Sequence, residues 1–195
     1  MAHLPPAPDA DPGLAALFAE VEARMGFLPN SLRIMAHKPP MLAGFLALAR
    51  EVLGPACSLP PDLQQMIAHV ASSAAGCRYC QAHTAHSAAR QGADPDRIAA
   101  LWAHETSPLF TPAERAALAL AQAAAEVPNR AGAEHFAAAR AHFTDAQVVE
   151  ILGIVGLFGF LNRWNDSLAT DLEDSPLAFA EAHLAPAGWT AGKHR

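Results

Sequence analysis

Cysteine is scarce in this chain, with three in 195 residues. An odd count in a chain this long makes no secreted disulfide framework. Clustered cations are missing as well: 13 basic residues against 19 acidic ones give a formal charge of −6. That balance argues against a nucleic-acid partner, because phosphate backbones are held by grouped Lys and Arg. The N-terminus Met1-Ala2-His3-Leu4-Pro5-Pro6 has neither the basic region nor the apolar run of a signal peptide. The longest apolar stretch, Val148 to Leu161, is broken by Glu150 and three glycines and falls short of the ~20 residues a bilayer span needs. A cytoplasmic protein with no membrane partner is the expectation. No segment alternates as a strand does, and no Asn-Gly hairpin turn occurs.

What is present is apolar residues at helical spacing, 52% of the chain, ample for a packed core. Residues 1–12, with four prolines, read as an extended arm free to lie against a partner subunit. A helical domain over 13–174 follows, and 175–195, with Pro176, Pro186 and Gly188, reads as a loop-like tail wrapping a surface. Within the domain, Pro39-Pro40 precedes a helix over Met41–Leu53, and Pro60-Pro61-Asp62 opens a helix running to about Ala75. Gly76 stops it, and a further helix runs from about Cys77 to Gln91. Thr111-Pro112-Ala113-Glu114 has the form of a capping box. Leu157, Phe158 and Phe160 are assigned to the core, and Ser31 to a helix cap.

The chemistry concentrates in Gly76-Cys77-Arg78-Tyr79-Cys80-Gln81-Ala82-His83-Thr84-Ala85-His86. Two cysteines three apart serve either dithiol redox chemistry or half a metal site. A zinc site from Cys77, Cys80, His83 and His86 is disfavoured, because four ligands stepping along one helix fan over half its circumference. Haem attachment needs histidine where Gln81 stands. The reading is redox, with no cofactor and no metal: unpaired N–H groups at a helix start favour thiolate. Cys57 has no partner in sequence and is read as inert.

Cys77-Arg78-Tyr79-Cys80 and Asn162-Arg163-Trp164-Asn165 share a shape at an offset of 85 residues. The same offset aligns Leu63, Met66, Ile67 and Val70 with Val148, Ile151, Leu152 and Val155, and sets Gln65 opposite Glu150. Two related helical hairpins, over about 59–105 and about 144–172, are therefore expected, the second degenerate.

Three stretches taken together, Gly26-Phe27-Leu28-Pro29-Asn30-Ser31 with Met35-Ala36-His37, the Cys77–Cys80 motif with its histidines, and Arg163-Trp164-Asn165-Asp166, resemble the AhpD-like alkylhydroperoxidase and carboxymuconolactone decarboxylase superfamily. The resemblance implies an all-α fold of repeated helical hairpins, assembled as a homo-oligomer, a trimer or hexamer. It implies a peroxidase in which Cys80 attacks a hydroperoxide, Cys77 condenses with the resulting sulfenic acid, and an external dithiol reductant resets the pair. The family's relay glutamate and histidine fall here on Gln65 and Thr84. Glutamine is no base at neutral pH. His83, about 60° from Cys80 around a helix, is the expected replacement, with Tyr79 a proton donor; His86, about 120° away, faces elsewhere. Glu150 is a further relay candidate if the fold brings it to the thiols. The rival readings are a decarboxylase-like enzyme with incidental cysteines and a non-catalytic redox-switch oligomer.

Overall fold

The structure, a computed structural model, describes residues 1–8 and 12–195. In chain order its α-helices are α1 (Pro12–Met25), α2 (Asn30–Met35), α3 (Pro39–Leu53), α4 (Pro61–Ala74), α5 (Arg78–Arg90), α6 (Pro95–Ala99), α7 (Pro112–Ala125), α8 (Ala133–Arg140), α9 (Asp145–Leu168) and α10 (Asp174–His183). Short 3-10 turns follow α6 and α10, and no strand occurs among the described residues. The all-α expectation holds.

α4 is the hub. Every residue from Leu63 to Ser72 is buried, so this helix is enclosed on all sides, which requires its polar side chains to find partners inside. Gln64 Nε2 donates to the Leu59 carbonyl at 2.8 Å and Ser72 Oγ to the Ala68 carbonyl at 2.8 Å. Around α4 pack α5, α7 and α9, forming the main core with Met66, Ile67, Leu118, Leu120, Ile151 and Ile154. A smaller core of Leu14, Leu32, Met35, Leu42 and Leu46 joins α1, α2 and α3. Thr111 caps α7 as the sequence predicts: Thr111 Oγ1 accepts from the Glu114 N–H at 3.2 Å, and Glu114 Oε2 accepts from the Thr111 N–H at 2.8 Å.

Five expectations change. The offset of 85 residues does not build a second hairpin, because Asp145–Leu168 is one unbroken helix where the first copy turns at Gly76. By length and composition α9 is long and apolar enough to cross a membrane, but its Ile151, Ile154, Leu157 and Phe158 lie buried in the main core. Phe160 stands on the surface, 40% exposed, while Phe158 and Leu157 are core. Pro29, not Ser31, precedes α2 as its cap residue. The tail begins as α10, with Pro176 in its first turn, where the missing N–H costs no helical bond. The arm is hydrogen-bonded to this chain, His3 N–H donating to the Leu168 carbonyl at 2.7 Å and Ala7 N–H to the Arg33 carbonyl at 3.0 Å; its residues 9–11 lie outside the described residues.

Ala169, with φ of +49°, ends α9 in the left-handed region, uncommon for a residue with a side chain. The turn sends residues 170–173 back toward α5, which α10 then packs against. That return brings Glu173 to the cysteines' helix.

Candidate active site

Gly76 leaves α4 with φ of +75°, a conformation glycine adopts without a Cβ penalty. The reversal makes Cys77 the N-cap of α5, its Sγ accepting the Cys80 N–H at 3.5 Å. Cys80, in the first turn, receives a hydrogen bond on Sγ from Asn165 Nδ2 of α9 at 3.5 Å. Both cysteines are buried and unpaired as thiols. A hydrogen bond from the Cys80 thiol outweighs burial and holds Cys77 below the usual thiol range. Burial and then the neighbouring Cys77 push Cys80 well above it. Of the two sulfurs Cys77 is therefore the more readily ionised, while Cys80 is the cysteine that lines the cavity.

That cavity, of about 180 Å³, lies at the seam between the two cores. Its walls are apolar: Val21 and Met25 from α1, Phe45, Leu46, Ala49 and Leu53 from α3, Leu157, Phe158 and Leu161 from α9. Polar groups gather at the thiol, namely Tyr79, Cys80, His83 and Thr84 of α5, Gln65 of α4, Ser31 of α2 and Asn165. Two of these, Ser31 Oγ and Asn165 Oδ1, are buried with no hydrogen-bond partner among the described residues.

His83 does stand with Cys80 on the cavity wall, but its hydrogen-bond partner is one the sequence did not suggest. Glu173, the residue just before α10, accepts from His83 Nε2 at 2.5 Å on Oε2. Its Oε1 accepts from Tyr79 Oη at 2.9 Å and from the Asn30 N–H at 2.5 Å. Tyr79 also stacks on His83, centroids 4.2 Å apart, and its Oη accepts the Ser31 N–H at 3.4 Å. Burial pushes the Glu173 carboxyl up, but the attraction and hydrogen bond of His83, with the Asn30 N–H and its own backbone N–H, together carry it below the usual carboxylate range. Tyr79 is pushed well above the usual phenol range, by burial and then by the Glu173 charge. At neutral pH Glu173 is therefore a carboxylate accepting from the Tyr79 O–H, the Asn30 N–H and His83 Nε2.

The other relay candidates separate. Gln65 lines the cavity. His86 does not, sitting between Phe27 and Phe179 with ring centroids 6.1 and 5.9 Å away, as its position around the helix predicts. Glu150 does not reach the thiols: it accepts from Ser58 N–H at 2.9 Å and Ser58 Oγ at 2.7 Å, an anchor for the segment leading into α4. Thr84 Oγ1 donates to the Cys80 carbonyl at 2.7 Å. Beside it, His69 of α4, pushed down to about 4 by burial and so neutral, donates from Nδ1 to the Gln81 carbonyl at 3.1 Å. Cys57, buried in the main core, does not line the cavity, and burial raises it. Among the described residues, no three of His, Cys, Asp and Glu come together as a metal site.

Glu173 is what the sequence reading missed. The available signal was Glu173-Asp174-Ser175-Pro176, acidic residues and a first-turn proline ahead of Leu177 and Ala180, the chemistry of a helix start.

Residues 39–123, spanning α3 to most of α7, match the carboxymuconolactone decarboxylase family. The crystal structure of the debrominase Bmp8 aligns with a TM-score of 0.83 and 34% identity over 91% of this chain and 95% of that one. Its complex with 2,3,4-tribromopyrrole, solved as a cysteine-to-alanine variant, gives 0.84 at 33% identity over 91% and 95%. An uncharacterised peroxidase-related protein with an alkylhydroperoxidase AhpD core, from Ralstonia eutropha JMP134, gives 0.81 at 23% identity over 92% and 95%. No curated protein matches the chain.

Proposed function

From the premise that this chain belongs to the AhpD-like and carboxymuconolactone decarboxylase superfamily, whose members include enzymes, we propose that it is a dithiol oxidoreductase that reduces a small organic hydroperoxide. One observation carries the reading: Cys80 opens onto an apolar cavity with Cys77 next to it at the helix cap. A decarboxylase-like enzyme with incidental cysteines would have its polar cavity away from the thiols.

In the proposed cycle Cys80 gives up its proton as its Sγ attacks the terminal peroxide oxygen, Cys77 being the nearest acceptor. The O–O bond breaks, the alcohol leaves with one proton, and Cys80 becomes a sulfenic acid. Cys77 then attacks Cys80 Sγ, a disulfide forms, and hydroxide leaves with the second proton as water. With Cys77 as the thiolate, one proton passed in through His83 completes the count: thiol, thiolate, hydroperoxide and that proton become disulfide, alcohol and water. An external dithiol returns two electrons and two protons. The Asn165 amide N–H steadies charge on Cys80, and His83, steered by Glu173, supplies the leaving oxygen with its proton.

A second reading has specific support in the aromatic walls, Phe45 and Phe158, and in the identity with a debrominase. The same dithiol would reduce a small haloaromatic: sulfur takes the bromine, carbon takes one thiol proton, and Cys77 displaces bromide as the disulfide forms and the other proton is released. The test supplies the protein with dithiothreitol and either cumene hydroperoxide or 2,3,4-tribromopyrrole, following hydroperoxide loss and bromide release. Hydroperoxide turnover is the expected result. Bromide release without it would replace the peroxidase with the second reading, and neither would end both.

A further inference from the structure

The cavity has a second end. Along α5 its wall runs from Cys80 through His83, Thr84 and Ser87 to Arg90, ten residues or ~15 Å of helix. At that far end Arg24 of α1 joins Arg90. Arg90 is seated by backbone: its Nη1 lies 2.8 Å from where a Cβ on Gly26 would stand, and Nη2 donates to the Arg24 carbonyl at 3.4 Å. Gly26, at φ of +82°, leaves the room this approach needs. Arg24 donates from Nη2 to the Leu53 carbonyl. These carbonyl bonds hold both guanidinium groups but leave further N–H donors on each.

Neither arginine forms an ion pair among the described residues. The carboxylate near Arg24, Glu20, is taken up by Arg50, at 2.6 Å. In a chain of net charge −6, two cations without carboxylate partners at one cavity mouth form an anion-binding end. We infer that the site takes an amphipathic organic anion, its carboxylate held by Arg24 and Arg90, its apolar body in the cavity and its reducible group at Cys80. A cavity of about 180 Å³ suits a one-ring or short alkyl body, since apolar cavities of ~150 Å³ accept benzene. At the inner end the unpartnered Asn165 Oδ1 offers an acceptor to a hydroperoxide O–H.

The assignment of the substrate's reducible end rests on the dithiol reading of Cys80, whereas the anion-binding end is testable by itself. Calorimetric titration of the reduced protein with octanoate and with octanamide compares a carboxylate with its neutral analogue. Octanoate is expected to bind at least tenfold tighter. Arg24→Gln and Arg90→Gln should each weaken octanoate severalfold while leaving octanamide unchanged. Equal binding of the two probes, no binding of either, or an acid preference intact in both folded variants would overturn the inference. Should a variant fail to fold, the comparison on the parent still decides. Because binding is read without turnover, loss of the peroxidase reading would appear as absent reduction with octanoate still bound.

Discussion

Glu173→Gln is expected to lower hydroperoxide turnover about a hundredfold while the helices remain folded. General acid-base groups contribute roughly 10²–10⁴ in rate, and a carboxylate that orients an imidazole carries much of that contribution. Gln can still accept on Oε1 from Tyr79 and the Asn30 N–H, the two contacts that tie α10 to α2 and α5 in the parent. What it removes is the charge facing His83 Nε2. Since Glu173 lies below its ordinary pKa, the carboxylate survives mild acid, and the stability it adds is present above the unfolded carboxylate value and lost as pH falls through the lower folded one. Steady-state assays on parent, Glu173→Gln and Tyr79→Phe check the claim, with Tyr79→Phe expected to lose less because it keeps the carboxylate. A folded Glu173→Gln within twofold of the parent would remove Glu173 from the relay.

Cys77→Ser is expected to cost more, abolishing efficient turnover with a dithiol reductant. Serine is at least as good an N-cap as a thiol, so the start of α5 is retained and the loss is chemical. Two functions go together: the acceptor for the Cys80 proton and the sulfur that closes the disulfide. A pH profile separates this from misfolding. In the parent, turnover should rise with pH below the ordinary thiol value, following the lowered Cys77. In Cys77→Ser any remaining reaction at Cys80 should need a more alkaline solution, because burial raises that thiol. A variant with parental rate and profile would show that Cys77 serves neither function.

The positions of Cys77 and Cys80 at a helix start were legible in sequence, because a stopping glycine, the cysteine spacing and helix capping are all local. His83 was legible by its angle from Cys80, and its partner was not: Glu173 lies 90 residues away and reaches the site only through the turn at Ala169 and the docking of α10. Prolines made that segment read as loop, although Pro176 in a first turn is compatible with helix. Glu150 drew attention through an aligned repeat, and alignment along a helix does not say which neighbour the side chain meets. Asn165 shows the converse. It stood opposite Cys80 in the same alignment, and α9 brings its amide to that sulfur.

The most direct measurement treats Cys77→Ser, in solution alkaline enough to ionise Cys80, with one equivalent of cumene hydroperoxide in the presence of dimedone and maps the adduct by peptide mass. A single dimedone on Cys80 is expected, and in the parent a Cys77–Cys80 disulfide with no adduct. An unmodified Cys80, or an adduct confined to Cys57, would contradict it.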